Sequence, residues 1–179
     1  MASAKSGVST AVFQMKKTSH ARVRVARARP RDFLAIAALD RVAWRQNRHP
    51  EFIPDGEHVW RMWCEFALVY VARRGARLAG VILAFPTLDG RFCVHKVMVA
   101  RPCRGQGIGS RLFAVLLKEL DRRGVAAFLT ADPVNAAAVA LYAKWGFRRR
   151  KLVNGFYRHN EDRLVLTRPA PRPRGSATR

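Results

Sequence analysis

The sequence predicts a single α/β domain with elements in the order β-α-α-β-β-β-α-β-α-β-β. Three observations carry that prediction. The chain has 179 residues, enough for one real core and short for two, since a chain of roughly 150 residues buries about 68–70% of its unfolded surface. Hydrophobic residues at 49% and charged residues at 26% exclude disorder and collagen-like repeats as descriptions of the whole. Short β runs joined by turns come first, and a strand, a glycine-rich loop, a helix and a strand follow as a crossover unit.

The elements follow in order. Residues 1–19 hold no sustained period and read as a basic flexible arm; the domain spans 20–168, and 169–179 form a Pro/Arg-rich tail that is too rich in proline and glycine to belong to it. Val23 and Val25 alternate with Arg22, Arg24 and Arg27, the pattern of a half-buried strand, which Pro30 ends. From Asp32 to about residue 47, Phe33, Ile36, Leu39, Val42 and Ala43 recur at helical spacing. His49-Pro50 and Pro54-Asp55-Gly56 break the chain before a second helix over about 57–65. Residues 67–72 and 78–85 are β runs around the turn Arg74-Gly75-Ala76, and Asp89-Gly90 turns into a strand over 92–100. A helix with Ile108, Leu112, Val115, Leu116 and Leu120 on one face ends at Gly124, a C-cap signal. Strand 125–131, helix 135–145 ended by Gly146, and strands 147–153 and 162–167 complete the fold.

Charge is the abnormal quantity: 34 Lys plus Arg against 12 Asp plus Glu, a net +22. It divides as +8 over residues 1–31, +10 over 32–167 and +4 over 168–179, with no acid in either end segment. Such a balance favours an anionic partner: nucleic acid, acidic lipid or a phosphorylated cofactor. Cys64, Cys93 and Cys103 form no C-x-x-C pair, so neither a disulfide framework nor a zinc site is indicated, no metal is expected, and a cytoplasmic location is the simpler expectation. No apolar run reaches the roughly 18 residues that cross a bilayer, and the Arg-free start through residue 21 argues against a transit peptide.

The most informative segment is 97–110, VMVARPCRGQGIGS. Its glycines leave backbone N–H groups uncovered at a helix N-terminus, which favours a bound phosphate. A P-loop would need Lys after the glycines, and a dinucleotide fingerprint would need glycine where Ser110 stands.

Arg104-x-x-Gly107-x-Gly109, preceded by Val99-Ala-Arg-Pro and followed by Asn135, Tyr142 and Gly146-Phe147, resembles the acetyl-CoA-binding core of the GCN5-related N-acetyltransferase (GNAT) superfamily. The resemblance covers about residues 21–167 in element order and is sharpest between about 92 and 147. It implies a mixed sheet splayed between its fourth and fifth strands, acetyl-CoA as co-substrate in the opening, and an amine acceptor, small molecule or peptide, entering from the other side. Carried over by position, Arg104, Gly105, Gln106, Gly107, Ile108 and Gly109 would hold the pyrophosphate, and the backbone of Val97 and Val99 would pair with the pantetheine. Asn135 would contact the pantetheine arm or cap its helix. Tyr142 would protonate the departing thiolate, although at helical spacing with Leu141 and Trp145 it also reads as core.

Direct transfer to an amine needs a base. Relatives are said to place a Glu on the fourth strand, and 92–99 holds no acid here. His95 shares the strand parity of Cys93, Val97 and Val99 and is the candidate, imidazole being a common general base; a structural histidine is the alternative. Cys93 reads as a buried small hydrophobe more readily than as a nucleophile. Glu65 and Asp132 are reserves, Asp132 fitting a helix start. The acceptor side falls to 46–63, with Asp55, Glu57 and His58 beside Trp60, and to Tyr157, Arg158 and His159 in the last turn. Two other readings stand beside catalysis: a basic nucleic-acid or ribosome-binding module using the tails, and a CoA-binding pseudoenzyme. The expected assembly is a monomer or homodimer without a membrane.

Overall fold

The computed structural model describes residues 22–45 and 54–171. The expected arm over 1–19, the end of the first predicted helix at 46–47 and residues 172–179 of the expected tail lie outside the described residues. The elements are β1 (Val23–Arg27), α1 (Phe33–Trp44), α2 (Glu57–Phe66), β2 (Leu68–Arg74), β3 (Arg77–Pro86), β4 (Phe92–Val99), α3 (Ile108–Arg122), β5 (Ala127–Ala131), α4 (Ala136–Lys144), β6 (Arg149–Val153) and β7 (Arg163–Arg168). Their order is the one the sequence predicts. The fifth and sixth strands begin two residues later than expected, the last strand ends one residue later, and the first helix is led in by a 3-10 turn over Pro30–Asp32.

One seven-stranded sheet runs β1-β2-β3-β4-β5-β7-β6. Only β4 and β5 are parallel, as a crossover through α3 requires. Two buried clusters cover the faces. α3, with Ile108, Leu112, Phe113, Leu116, Leu117 and Leu120, packs on one face together with Val139 of α4. α1 and α2, through Ile36, Ala37, Trp60 and Cys64, pack on the other. α3 lies close to the sheet because Gly80 opposes it: a Cβ there would stand 2.8 Å from the Met98 carbonyl oxygen and 3.2–3.3 Å from Leu112 and Ile108.

Two departures from regular pairing shape the centre. β3 and β4 pair at seven registered positions, whereas β4 and β5 meet only at Phe92↔Ala127 and Cys93↔Phe128. Beyond Cys93 the two strands diverge, and that edge of β4 has no strand partner among the described residues. The second departure is a bulge. Leu83 pairs with Lys96 and Ala84 with Val94, so His95 is the extra residue between them. A bulge reverses side-chain parity across it. The parity expected for His95 with Val97 and Val99 is therefore corrected: the valines pack with the α3 cluster, and His95 stands against Trp63 of α2 and Phe85.

α1 carries another correction. Helical spacing puts Val42 on the buried face, but Val42 is 49% exposed while Asp40 is fully buried. The carboxylate is inside because three donors reach it there, as described next.

Candidate active site

On the α3/α4 face, the opening beyond Cys93 is a cavity of about 320 Å³ lined by Val97, Val99, the loop from Cys103 into α3, and Phe113, Leu141, Tyr142 and Trp145. The loop wall is shaped by backbone conformation. Gly105 and Gly107 have φ of 74° and 70°, and a Cβ on either would meet nothing; they are glycine for the left-handed turn, which costs other residues about 1–2 kcal/mol, and not for packing. The first helical bond of α3 is Arg111 N–H to the Gly107 carbonyl at 3.1 Å. The N–H groups of Ile108, Gly109 and Ser110 therefore open onto the loop, as the first turn of any helix leaves them. Arg104 donates from Nε to the Val99 carbonyl at 3.2 Å, tying the loop to the end of β4.

The opposite wall comes from α4. Its N-cap is Asn135, whose side chain accepts from the Ala138 N–H at 3.1 Å; this is the capping role. The cap starts α4 so that Tyr142 lies in the cavity, tilted against Phe113 at 5.9 Å between ring centroids. Burial pushes its phenol above the ordinary value, so the hydroxyl keeps its proton at neutral pH. The cavity thus joins Val97, Val99, Arg104, Gly105, Gly107, Ile108, Gly109 and Tyr142. Gln106 and Asn135 do not line it. Gln106 instead donates to the Pro102 carbonyl at 3.1 Å and accepts from Arg74.

On the α1/α2 face of the sheet, at β4 residues just past its last pairing with β5, lies a charge network. Asp40 accepts from the Trp60 indole at 3.0 Å, from the Asp55 backbone N–H at 3.1 Å and from the Lys96 ammonium at 3.0 Å. Lys96 also pairs with the Asp55 carboxylate and lies over the rings of Trp44 and Trp60. Asp55 in turn stands 3.5 Å from His95 Nε2. Burial works against the Asp55 charge, but hydrogen bonds from His95 and Lys96 outweigh it and hold the carboxyl below its usual range. Trp63, stacked on Phe85, walls His95 at 5.2 Å between centroids. His95 is the most exposed member of the network and Asp40 the most buried.

Other candidates are occupied elsewhere. Glu65 pairs with Arg61 along α2 and Glu57 with Arg41 at 2.9 Å. Asp132 accepts from the Val134 N–H at 3.0 Å, opening the turn into α4. Burial pushes the Cys93 thiol up to about 11, which leaves it a protonated apolar side chain and not a nucleophile. In the β6–β7 turn, the Tyr157 hydroxyl bonds to Thr130 on β5 at 2.9 Å and Arg158 pairs with Glu161. Sequence reasoning missed Asp40 and Lys96. Their signal was present: each is a charge interrupting an apolar pattern, Asp40 at i+4 from Ile36 and Lys96 inside the β4 run.

A family model described as the Acetyltransferase (GNAT) family matches residues 34–147. An uncharacterised N-acetyltransferase of Methanocaldococcus jannaschii is 26% identical over 148 residues, 81% of this chain and 90% of that protein. The ribosomal protein bS18-alanine N-acetyltransferase of Escherichia coli K12 is 37% identical over 68 residues, 36% of this chain and 46% of that one. Among solved structures, the ribosomal-protein-S18-alanine N-acetyltransferase from Escherichia coli shares the fold with a TM-score of 0.71 at 23% identity, covering 88% of this chain and 99% of that one. The diaminobutyrate acetyltransferase from Paenibacillus lautus, in complex with L-2,4-diaminobutyric acid and coenzyme A, does so at 0.69 and 18%, covering 87% and 99%.

Proposed function

The chain belongs to the acetyltransferase (GNAT) family, and from that premise we propose that it acetylates a primary amine by direct attack, with Tyr142 and His95 as the two proton-handling groups. Family membership makes it an acetyl-CoA-dependent N-acetyltransferase. Acetyl-CoA supplies the activated acetyl thioester. The residues present suit it: a glycine loop whose two left-handed positions face open space, free N–H groups at the start of α3 with Arg104 beside them, and an unpaired β4 edge at Val97 and Val99.

The observation that supports the reading is that Tyr142 lines the cavity on the α3/α4 face while His95, on β4 just past its last pairing with β5, stands against Trp63 on the other face of the sheet. In the proposed reaction the amine, neutral at nitrogen, forms the new C–N bond as the C–S bond breaks. His95 accepts the proton that the amine loses, with Asp55 behind it as the negative partner. Tyr142, kept protonated by burial, donates a proton to the departing sulfur. The relatives' own acceptors, the alanine of a ribosomal protein in one and diaminobutyric acid in another, are amines of a peptide and of a small molecule, and this chain's acceptor is proposed to fall in that range.

The test is a screen of peptide N-termini and small diamines with thiol release as readout. Acetyl-CoA at 100 times its Kd should raise the melting temperature by about 5–10 °C. Tyr142→Phe should lower turnover about 100-fold and leave acetyl-CoA affinity within a factor of about two. No thermal shift overturns the cofactor site, and unchanged turnover returns Tyr142 to a packing role.

A further inference from the structure

A concentration of arginines lies away from the catalytic opening, at the β1 edge of the sheet. Arg22, Arg24, Arg27, Arg29, Arg31 and Arg73 line a groove of about 850 Å³ along β1, with Asp32 its one acid. Asp32 is taken up by Arg73 at 2.8 Å. Arg27 donates to the Ala67 carbonyl. Among the described residues no carboxylate pairs with Arg22, Arg24, Arg29 or Arg31, all of them exposed. Arg24 sits directly opposite Arg73 in the β1–β2 register, a like-charge cross-strand pair that costs stability.

Charge on an edge strand can serve only to prevent unwanted pairing, and the other edge, β6, carries Arg149, Arg150 and Lys151. β1 differs in form. Arginines from the strand, from the turn into α1 and from β2 converge on one concavity, so their fields add where a ligand could lie.

We propose that this groove binds a single nucleic-acid strand through its phosphates, without regard to sequence. All six cations are arginines, whose planar fork matches phosphate oxygens two at a time. Arg22, just before β1, and Arg24 on it are two positions apart and both exposed, and two residues of extended chain span about 6.6–6.8 Å, the order of one step between successive phosphates. The groove lining has no aromatic side chain on which bases stack, so recognition stays with the backbone. A peptide added to the β1 edge would need pockets for alternate side chains, and the open positions here are Arg22, Arg24 and Ala26. A membrane would need apolar groups to insert, and Val71 in the lining is buried.

Five of the six arginines belong to the acid-free segment 1–31 to which the sequence assigns +8, the groove setting them on the sheet edge beside Arg73, and the site is independent of the acetyl-transfer reading. The test is fluorescence anisotropy of the full chain with a labelled 20-nucleotide single-stranded RNA of mixed sequence, titrated from low to physiological salt. Two variants remove equal charge: Arg22→Gln/Arg24→Gln/Arg31→Gln in the groove and Arg172→Gln/Arg174→Gln/Arg179→Gln near the C-terminus. The groove variant should bind at least tenfold more weakly and lower the salt slope by about 2, at roughly 0.7 per lost single-strand phosphate contact. The second variant should lose less than threefold, and acetyl-CoA affinity should stay unchanged in both. Absence of binding at low salt, equal losses in the two variants, or a poly-glutamate peptide of matched charge binding the groove as tightly as the RNA would each overturn the proposal.

Discussion

The two sides of the β4–β5 opening are built by different means. The α3/α4 side is mostly written in one stretch: β4 ends, the loop turns through Gly105 and Gly107, and α3 begins, so Val97 to Ser110 supply most of the lining, with Phe113 from α3 and Leu141, Tyr142 and Trp145 from α4 and its end completing it. The α1/α2 side is assembled from Asp40, Asp55, Trp60, His95 and Lys96, with Lys96 reaching Asp40 across 56 positions. A phosphate cradle uses backbone N–H groups, whose directions follow from local dihedral angles. A buried carboxylate depends on side chains that only the tertiary fold brings to it. One side should therefore tolerate changes in distant packing, and the other should fail when any member is removed.

The largest expected effect tests that second clause. Asp40→Ala leaves the Trp60 indole, the Asp55 N–H and the Lys96 ammonium without their shared acceptor in a fully buried position. Each buried donor left without its acceptor costs about 1–3 kcal/mol, and although Lys96 keeps Asp55 as a partner the sum is a large part of a typical folding stability of about 5–15 kcal/mol. Urea unfolding at low temperature should show the loss, and Asp40→Asn, which keeps an acceptor oxygen, should lose less. A change below about 1 kcal/mol for Asp40→Ala would mean that the network does not hold the α1/α2 face together.

That asymmetry explains what the sequence disclosed. The element order, the crossover, the glycine loop and Tyr142 were legible because each rests on local signals: alternation in β1, a 3.6-residue period in α3, and left-handed glycines before a helix. The buried side of α1 was misjudged at Val42, because hydrophobicity alone ranks a valine above an aspartate, and only the arrival of Trp60 and Lys96 reverses that order. His95 was found for a reason the structure removed. Its supposed parity with Val97 and Val99 assumed a regular strand, and the bulge opposite Leu83 and Ala84 left no mark in the composition of β4. His95 remains at the opening because the bulge turns it toward Asp55.

An intermediate effect is expected on the local side. Gly107→Ala adds a Cβ that meets no neighbour, so its cost is conformational, about 1–2 kcal/mol for a residue held at φ 70°. The loop relaxes to escape that cost and the N–H groups at the start of α3 lose their common direction. Acetyl-CoA affinity, by calorimetry, should fall about tenfold, the equivalent of about 1.4 kcal/mol, with the melting temperature down by about 2–8 °C. Affinity unchanged from the parent would separate the glycine turn from phosphate binding and remove the contrast between the two sides.

The smallest effect is the one read through pH. Asp55 keeps its carboxyl below the usual range because contacts with His95 and Lys96 outweigh its burial, so its folded pKa lies under the unfolded value of about 3.9. The folded state then binds fewer protons than the unfolded one around that pH. The resulting stabilisation is complete above about pH 4 and disappears as pH falls through the lower folded value. Asp55→Asn should therefore be less stable than the parent at neutral pH, and the gap should narrow as the pH is lowered below about 4. Glu119, held down to about 2 by Arg122 and Arg123, titrates in the same region but is common to both proteins and cancels in the difference. A gap that stays constant across the acid range would assign the loss to the altered shape of the Lys96 contact; a gap that closes assigns it to the charge, and so to the ionised Asp55 carboxylate beside His95 and Lys96.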